Sequence, residues 1–194
     1  MTKILAFSGS LRRDSFNSKL VRVAGGGASE AGAEVEYLDL RELELPLFDQ
    51  DLEDEYKSRG SLPEGVTRLQ EAMLSCGGLL IASPEYNSSF TPALKNAIDW
   101  ASRRRNEAGK LACFEGKVAG LVAASPGRLG GIRGLNDLRS VLGSIGVIVL
   151  PGQYALSGAH EAFDEQGELK DGQARGAARG VGAALARATA LHAG

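Results

Sequence analysis

Three polar segments carry the side chains that could do chemistry, and each follows a short apolar run. The first is Ser8-Gly9-Ser10-Leu11-Arg12-Arg13-Asp14-Ser15-Phe16-Asn17. Hydroxyls, an Arg and an Asn ahead of a helix suit a phosphate monoester. Free backbone N–H groups and the positive end of the helix dipole favour the anion, and hydroxyls and guanidinium complete its shell. The same residues also suit an ordinary polar loop in which Ser15 or Asn17 caps the helix. The second segment is Ser83-Pro84-Glu85-Tyr86-Asn87-Ser88-Ser89-Phe90-Thr91-Pro92, longer than a strand-to-helix connection requires. Its rigid Pro, aromatic Tyr and amide-bearing Asn suit a planar, hydrogen-bonding ring, and a longer surface turn is the alternative. The third is Ser125-Pro126-Gly127-Arg128-Leu129-Gly130-Gly131, whose glycines let backbone approach a ligand closely or simply turn the chain. Each segment alone is a weak signal. Three of them after three separate strands point to one ligand.

The elements that must position these segments alternate in type. Short apolar runs at 3–8, 34–39, 78–83, 117–125 and 147–150 read as strands. Helical spacing begins near Asn17, covers 63–76 behind Pro63, restarts at Thr91-Pro92, covers 132–144 and closes the chain from about 172. Strands interleaved with helices predict an α/β fold, with a parallel sheet covered on both faces by right-handed crossovers. Ligands of such sheets sit beyond the carboxyl ends of the strands, where all three segments fall. One domain over residues 1–194 accommodates everything, and no internal repeat is visible.

Composition removes several classes. The chain has 194 residues with 22 Lys+Arg against 24 Asp+Glu, so a net charge of −2 offers no broad footprint for nucleic acid. Two cysteines, Cys76 and Cys113, make no framework, which predicts a reducing cytoplasm. Neither a signal-peptide core nor an apolar span of about 20 residues occurs, so a membrane partner is not expected. There is no GxSxG, GxxxxGK[ST] or GxGxxG, and His160 and His192 have no metal-ligand spacing. The acidic run 49–55 reads as a solvated loop, Arg103-Arg104-Arg105 as a solvated helix end, and Gly172, Gly176 and Gly180 as a close contact between the last helix and the sheet. The 26 glycines are about twice the usual share of ~7%. Gly25-Gly26-Gly27 inside the first helix costs roughly 1 kcal/mol per Gly relative to Ala and touches no proposed site.

Taken together, the three motifs resemble those of the NAD(P)H-dependent FMN reductases, the flavodoxin-like group that includes quinone, chromate and azo-dye reductases. Gly9-Ser10-Leu11-Arg12 with Ser15 and Asn17, Pro84-Glu85-Tyr86-Asn87 with Pro92, and Ser125-Pro126-Gly127 with Gly130-Gly131 carry the likeness. Leu45-Pro46-Leu47-Phe48-Asp49 and Lys95-Asn96-Ala97-Ile98-Asp99-Trp100 extend it. The resemblance implies a flavodoxin-like three-layer sandwich with a five-stranded parallel sheet, binding FMN and using NADPH or NADH as co-substrate. It implies that Ser10, Leu11, Arg12, Ser15 and Asn17 form the phosphate site, that Pro84, Glu85, Tyr86 and Asn87 line the ring, and that Ser125 and Gly127 flank its other end. A small-molecule electron acceptor and a homodimer or homotetramer follow as expected partners, with 45–49 and the Trp100 helix near the interface. No catalytic residue is expected, because the redox chemistry belongs to the flavin. Two rival readings share this fold: an electron carrier served by a protein partner, and a regulatory domain without flavin.

Overall fold

The computed structural model describes residues 1–103 and 109–192. In chain order the elements are β1 (Lys3–Ser8), α1 (Phe16–Glu30), β2 (Glu34–Asp39), α2 (Gln50–Ser58), α3 (Glu64–Leu74), β3 (Gly78–Ala82), α4 (Pro92–Ala101), β4 (Val118–Ala124), α5 (Ile132–Ser144), β5 (Ile148–Leu156), α6 (Ala159–Ala162) and α7 (Gly172–His192). The five strands are parallel, in the order β2-β1-β3-β4-β5. That order reverses between β1 and β3, which places the switch point between the first two polar segments.

Alternation along the central strands divides the core into two layers. Leu5, Phe7, Leu79, Ile81 and Leu121 face α3, α4 and α5. Ile4, Ala6, Leu80, Val118 and Val122 face α1 and α7. With both faces covered, β3 and β4 are buried along their whole length, which is why they read as unbroken apolar runs. The edge strand β2 is mostly exposed, consistent with its polar–apolar alternation.

Three expectations need correction. Residues 50–58 form a helix rather than a loop: Asp49 caps it by accepting from the N–H groups of Asp51 and Leu52. Acids in the first turn suit the positive helix end, and Glu53 is buried beside Lys57. The fifth strand runs well past Leu150 to Leu156, through a register shift opposite Ala119–Leu121. Pro151 and Gly152 sit at that shift, and the Arg139 guanidinium binds the carbonyls of Val149 and Leu150 at 3.2 and 2.7 Å. A Cβ at Gly172, Gly176 or Gly180 would meet nothing within 4 Å, so these glycines do not serve a close contact with the sheet. Close packing falls instead where α1 crosses α7. A Cβ at Gly182 would overlap the Ala24 carbonyl, one at Gly27 the Arg179 backbone, and one at Gly25 the Tyr37 hydroxyl. Two of the three glycines in α1 therefore serve helix–helix and helix–strand approach.

Trp100 is fully buried, and its indole N–H donates to the Pro46 carbonyl at 2.7 Å. Asn96 donates to the same carbonyl and accepts from the Phe48 N–H, so residues 45–49 are pinned along α4. Arg103 lies 5.1 Å over the Phe48 ring, while Arg104 and Arg105 lie outside the described residues.

These contrasts in space make the glycines of α7 separable. Gly176→Ala, in open surroundings, should raise stability by about 0.5–1 kcal/mol, the helix-propensity gain. Gly182→Ala should lower it by about 1–3 kcal/mol through overpacking against α1. Urea unfolding of the two variants distinguishes them by sign.

Candidate functional site

The first loop leaves β1 through a position that only glycine fits. A Cβ on Gly9 would stand 2.8 Å from Thr91 Oγ1 and 2.9 Å from Leu94 Cβ. The Gly9 N–H donates to Ala82 O at 2.8 Å, and its carbonyl accepts from the Thr91 hydroxyl at 2.6 Å. Beyond it, Ser10 is buried and its Oγ accepts the Arg12 N–H at 3.3 Å. Ser15, also buried, caps α1 by accepting from the N–H groups of Asn17 and Ser18 at 3.2 and 3.3 Å. Each hydroxyl accepts from backbone and so keeps its own proton to donate. Among the described residues, the N–H groups of Leu11 and Arg13 also donate to no protein acceptor. The loop's one carboxylate, Asp14, is bound by Lys19 at 2.6 Å, and that hydrogen bond and charge hold it below the usual carboxylate range. A donor-rich, charge-neutralised helix start of this kind suits an anion.

Asn17 has a different employment from the hydroxyls beside it. Its Nδ2 donates to Ala124 O at 2.8 Å, and its Oδ1 accepts the Ala124 N–H at 2.9 Å. The carboxamide thus fastens the start of α1 to the end of β4. Arg12 is exposed, with its guanidinium 5.4 Å over the Phe16 ring, and Leu11 is half exposed beside it.

The second loop is a small hairpin rather than an open turn. Tyr86 and Ser89 exchange two backbone hydrogen bonds, of 2.8 and 3.1 Å. Asn87 and Ser88 between them have φ of 51° and 72°, the pattern of a type I′ turn. Pro84 is buried at its base, and the Tyr86 side chain projects with half its surface exposed. The loop ends on Thr91, which caps α4 ahead of Pro92.

The third loop starts where the Ser125 N–H reaches Leu156 O and the Ser125 hydroxyl accepts the Gly127 N–H, at 3.0 and 3.1 Å. It ends at Gly131, the cap of α5, with φ of 98°. A Cβ there would stand 2.8 Å from that of Ala123, so glycine meets both the backbone and the space requirement.

With no side-chain cap of its own, α5 is capped by Glu85 from the second loop. The Glu85 carboxylate accepts the N–H groups of Arg133 and Gly134 at 3.0 and 3.2 Å, and the Arg133 guanidinium through both Nε and Nη2. Burial alone would raise the Glu85 carboxyl, but the bonds from Arg133 and Gly134 prevail and hold it below its ordinary value. Arg133 escaped sequence reasoning, since nothing local marks an Arg 48 positions from its acid.

Of the eleven residues proposed from sequence, ten lie in three loops at the carboxyl ends of β1, β3 and β4 and Asn17 lies in the first turn of α1, with each pair of loops joined by its own contact. Thr91 ties the second loop to the first, Glu85 ties it to the third, and Asn17 ties α1 to the strand that feeds the third. A flavin mononucleotide fits this donor set: hydroxyls, N–H groups and Arg12 at a helix start for a phosphate, and the N–H groups of Glu85, Asn87 and Arg128, which donate to no acceptor among the described residues, for ring carbonyls. His160 and His192 are exposed, and no metal-holding cluster occurs among the described residues.

A parallel doubly wound sheet with donor-rich loops at its switch point is a flavodoxin-like fold. The chain belongs to the NADPH-dependent FMN reductase family, whose model matches residues 2–161. It is 38% identical over 174 residues to an NAD(P)H-dependent FMN reductase of Pseudomonas aeruginosa, covering 89% of this chain and 87% of that one. A quinone reductase of Pseudomonas putida is 32% identical over 166 residues, covering 84% and 82%. Among solved structures, the flavoenzyme NAD(P)H:(acceptor) oxidoreductase FerB of Paracoccus denitrificans superposes with a TM-score of 0.82 over 99% of both chains, at 27% identity. Family membership makes the protein an oxidoreductase using FMN and NAD(P)H, and displaces the carrier and regulatory readings.

The depressed Glu85 carboxyl fixes a pH dependence. A group held below its unfolded value contributes stability that is present above that value, 4.5, and lost as pH falls through the lower folded one. At neutral pH, Glu85→Gln should therefore cost about 1 kcal/mol, reduced by the solvent exposure of Arg133. The gap between wild type and variant should close as pH falls below 4.5, read from unfolding midpoints across the acid range.

Proposed function

We propose that this chain transfers hydride from NAD(P)H to FMN held at the three loops, and passes the electrons to quinone-type and related small acceptors. The observation that carries the site is the convergence of buried hydroxyls, free N–H groups and Arg12 at the start of α1, next to the Tyr86 hairpin. FMN, when bound, supplies the redox chemistry itself. Ser10, Ser15 and Arg12 hold its phosphate, with Leu11 shaping their loop. Asn17 acts by setting the angle between that loop and β4. Pro84, Glu85, Tyr86 and Asn87 frame one edge of the ring through backbone, and Ser125 and Gly127 frame the other. Glu85 stays ionised and bound to Arg133 at neutral pH, so it works as a clasp and not as a proton donor. What remains for the protein is to hold two planar groups at reacting distance.

A homo-oligomer with 45–49 near its interface is supported by Leu47, which is 80% exposed between neighbours that α4 pins in place. Cys76 and Cys113 are buried thiols not joined in a disulfide, which fits a reducing cytoplasm.

The protein should purify with, or take up, a yellow chromophore. Anaerobic addition of NADH or NADPH to the loaded protein should bleach it without any partner protein, whereas an unbleached flavin overturns the reductase reading. Arg12→Ala should weaken FMN binding about tenfold, the size of one charge-assisted contact, and an unchanged affinity by fluorescence titration would remove Arg12 from the phosphate site.

A further inference from the structure

Arg12 does not stand alone over its aromatic ring. The Phe16 ring beneath it is stacked on Phe163, with centroids 6.2 Å apart and planes 1° from parallel. Phe163 follows α6, on the same face of the sheet as α1, and lies beyond the family match that ends at residue 161.

The segment carrying Phe163 is built to hold it still. Phe163 bridges Leu169 in an antiparallel pair, and the Asp164 N–H donates to Glu168 O at 2.9 Å. Asp164 Oδ1 closes the turn by accepting from Gln166 and Glu168 N–H at 3.0 and 2.8 Å. Leu169 is fully buried against α1 and α7, and its carbonyl accepts from Arg175 Nε at 2.9 Å. A rigid hairpin thus presents one ring to the first residue of α1. The fold alone does not explain this, because the stack ends on an exposed cation at the proposed phosphate site.

We infer that Phe163 is a positioning residue for the flavin phosphate, acting through the stack Phe163–Phe16–Arg12. A guanidinium over a ring is attracted to its face and restricted in direction. A ring free to swing would carry the cation with it, whereas a ring clamped from behind fixes where the guanidinium points. The protein then distinguishes FMN from riboflavin partly through a residue that touches neither. This rests on the reading that the start of α1 holds the phosphate.

The test measures FMN and riboflavin affinities by flavin fluorescence for wild type, Phe163→Ala, Phe163→Leu, Phe163→Tyr, Arg12→Ala and the Arg12→Ala/Phe163→Ala pair. Phe163→Ala and Phe163→Leu should weaken FMN binding about three- to fivefold and leave riboflavin binding within about twofold, the scale of one exposed cation–ring contact. Phe163→Tyr should restore the wild-type ratio, and the double variant should bind FMN no worse than Arg12→Ala. Equal weakening for both flavins in Phe163→Leu, or additive losses in the double variant, would overturn the inference while leaving FMN binding intact. A wild type that binds both flavins alike would instead overturn the phosphate reading beneath it.

Discussion

The bidentate contact between Asn17 and Ala124 is the constraint on which the site's geometry depends. β3 ends opposite Val122, so the Ala124 peptide groups on that side have no strand to pair with, although the residue is buried. Buried peptide groups must be satisfied. An Asn carboxamide mirrors a peptide unit, with one donor and one acceptor side by side, and replaces the missing strand residue. Aspartate lacks the donor, and glutamine would push the helix start away. Because Asn17 is already in the first turn of α1, satisfying β4 also fixes where the helix begins. The N–H groups and hydroxyls gathered there inherit their position from that bond.

The opposite face of the same helix carries a second constraint. α1 can point its first turn at the sheet edge only if its body lies close to α7 and to β2. Gly25, Gly27 and Gly182 allow that approach, at a cost in helix propensity that the burial of Leu20, Val23, Ala24 and Leu185 offsets. Glycines with no ligand near them therefore contribute to the site through the angle of the element that carries it.

Much of this was legible in the residue order. Strands covered on both faces must be apolar throughout, so β1, β3 and β4 stood out, and so did the loops after them, where polar residues concentrate abruptly. β5 was legible only in its first part, because Pro151, Gly152 and Gln153 interrupt the pattern at the register shift. The helix at 50–58 was hidden by its own acids, which read as solvation although Asp49 was a cap in plain view. The site's membership could be read, but not the employment of its members. Asn17 and Glu85 look like ligands by chemistry, and their partners lie 107 and 48 positions away. Only the folded chain reveals that both are engaged with protein.

That engagement bears on what kind of selectivity the site can exert. With the Asn17 amide and the Glu85 carboxylate engaged by protein, the hydroxyl protons, backbone N–H groups and Arg12 at the start of α1 are suited to holding a nucleotide. On the proposed reading, Tyr86 stands beside the ring edge, half exposed on a hairpin closed by two hydrogen bonds, with the exposed Asn87 next to it. Ser88 at φ 72° makes that turn costly for a non-glycine residue, of order 1 kcal/mol, so its shape is imposed by the bonds around it and resists rearrangement. An aromatic side chain carried on a bonded hairpin next to a planar cofactor favours partners by flatness and width. On the proposed reading, acceptors are therefore sorted by whether they can lie flat on the ring, which makes a planar quinone a natural substrate and a breadth of such acceptors a physical consequence of the loop.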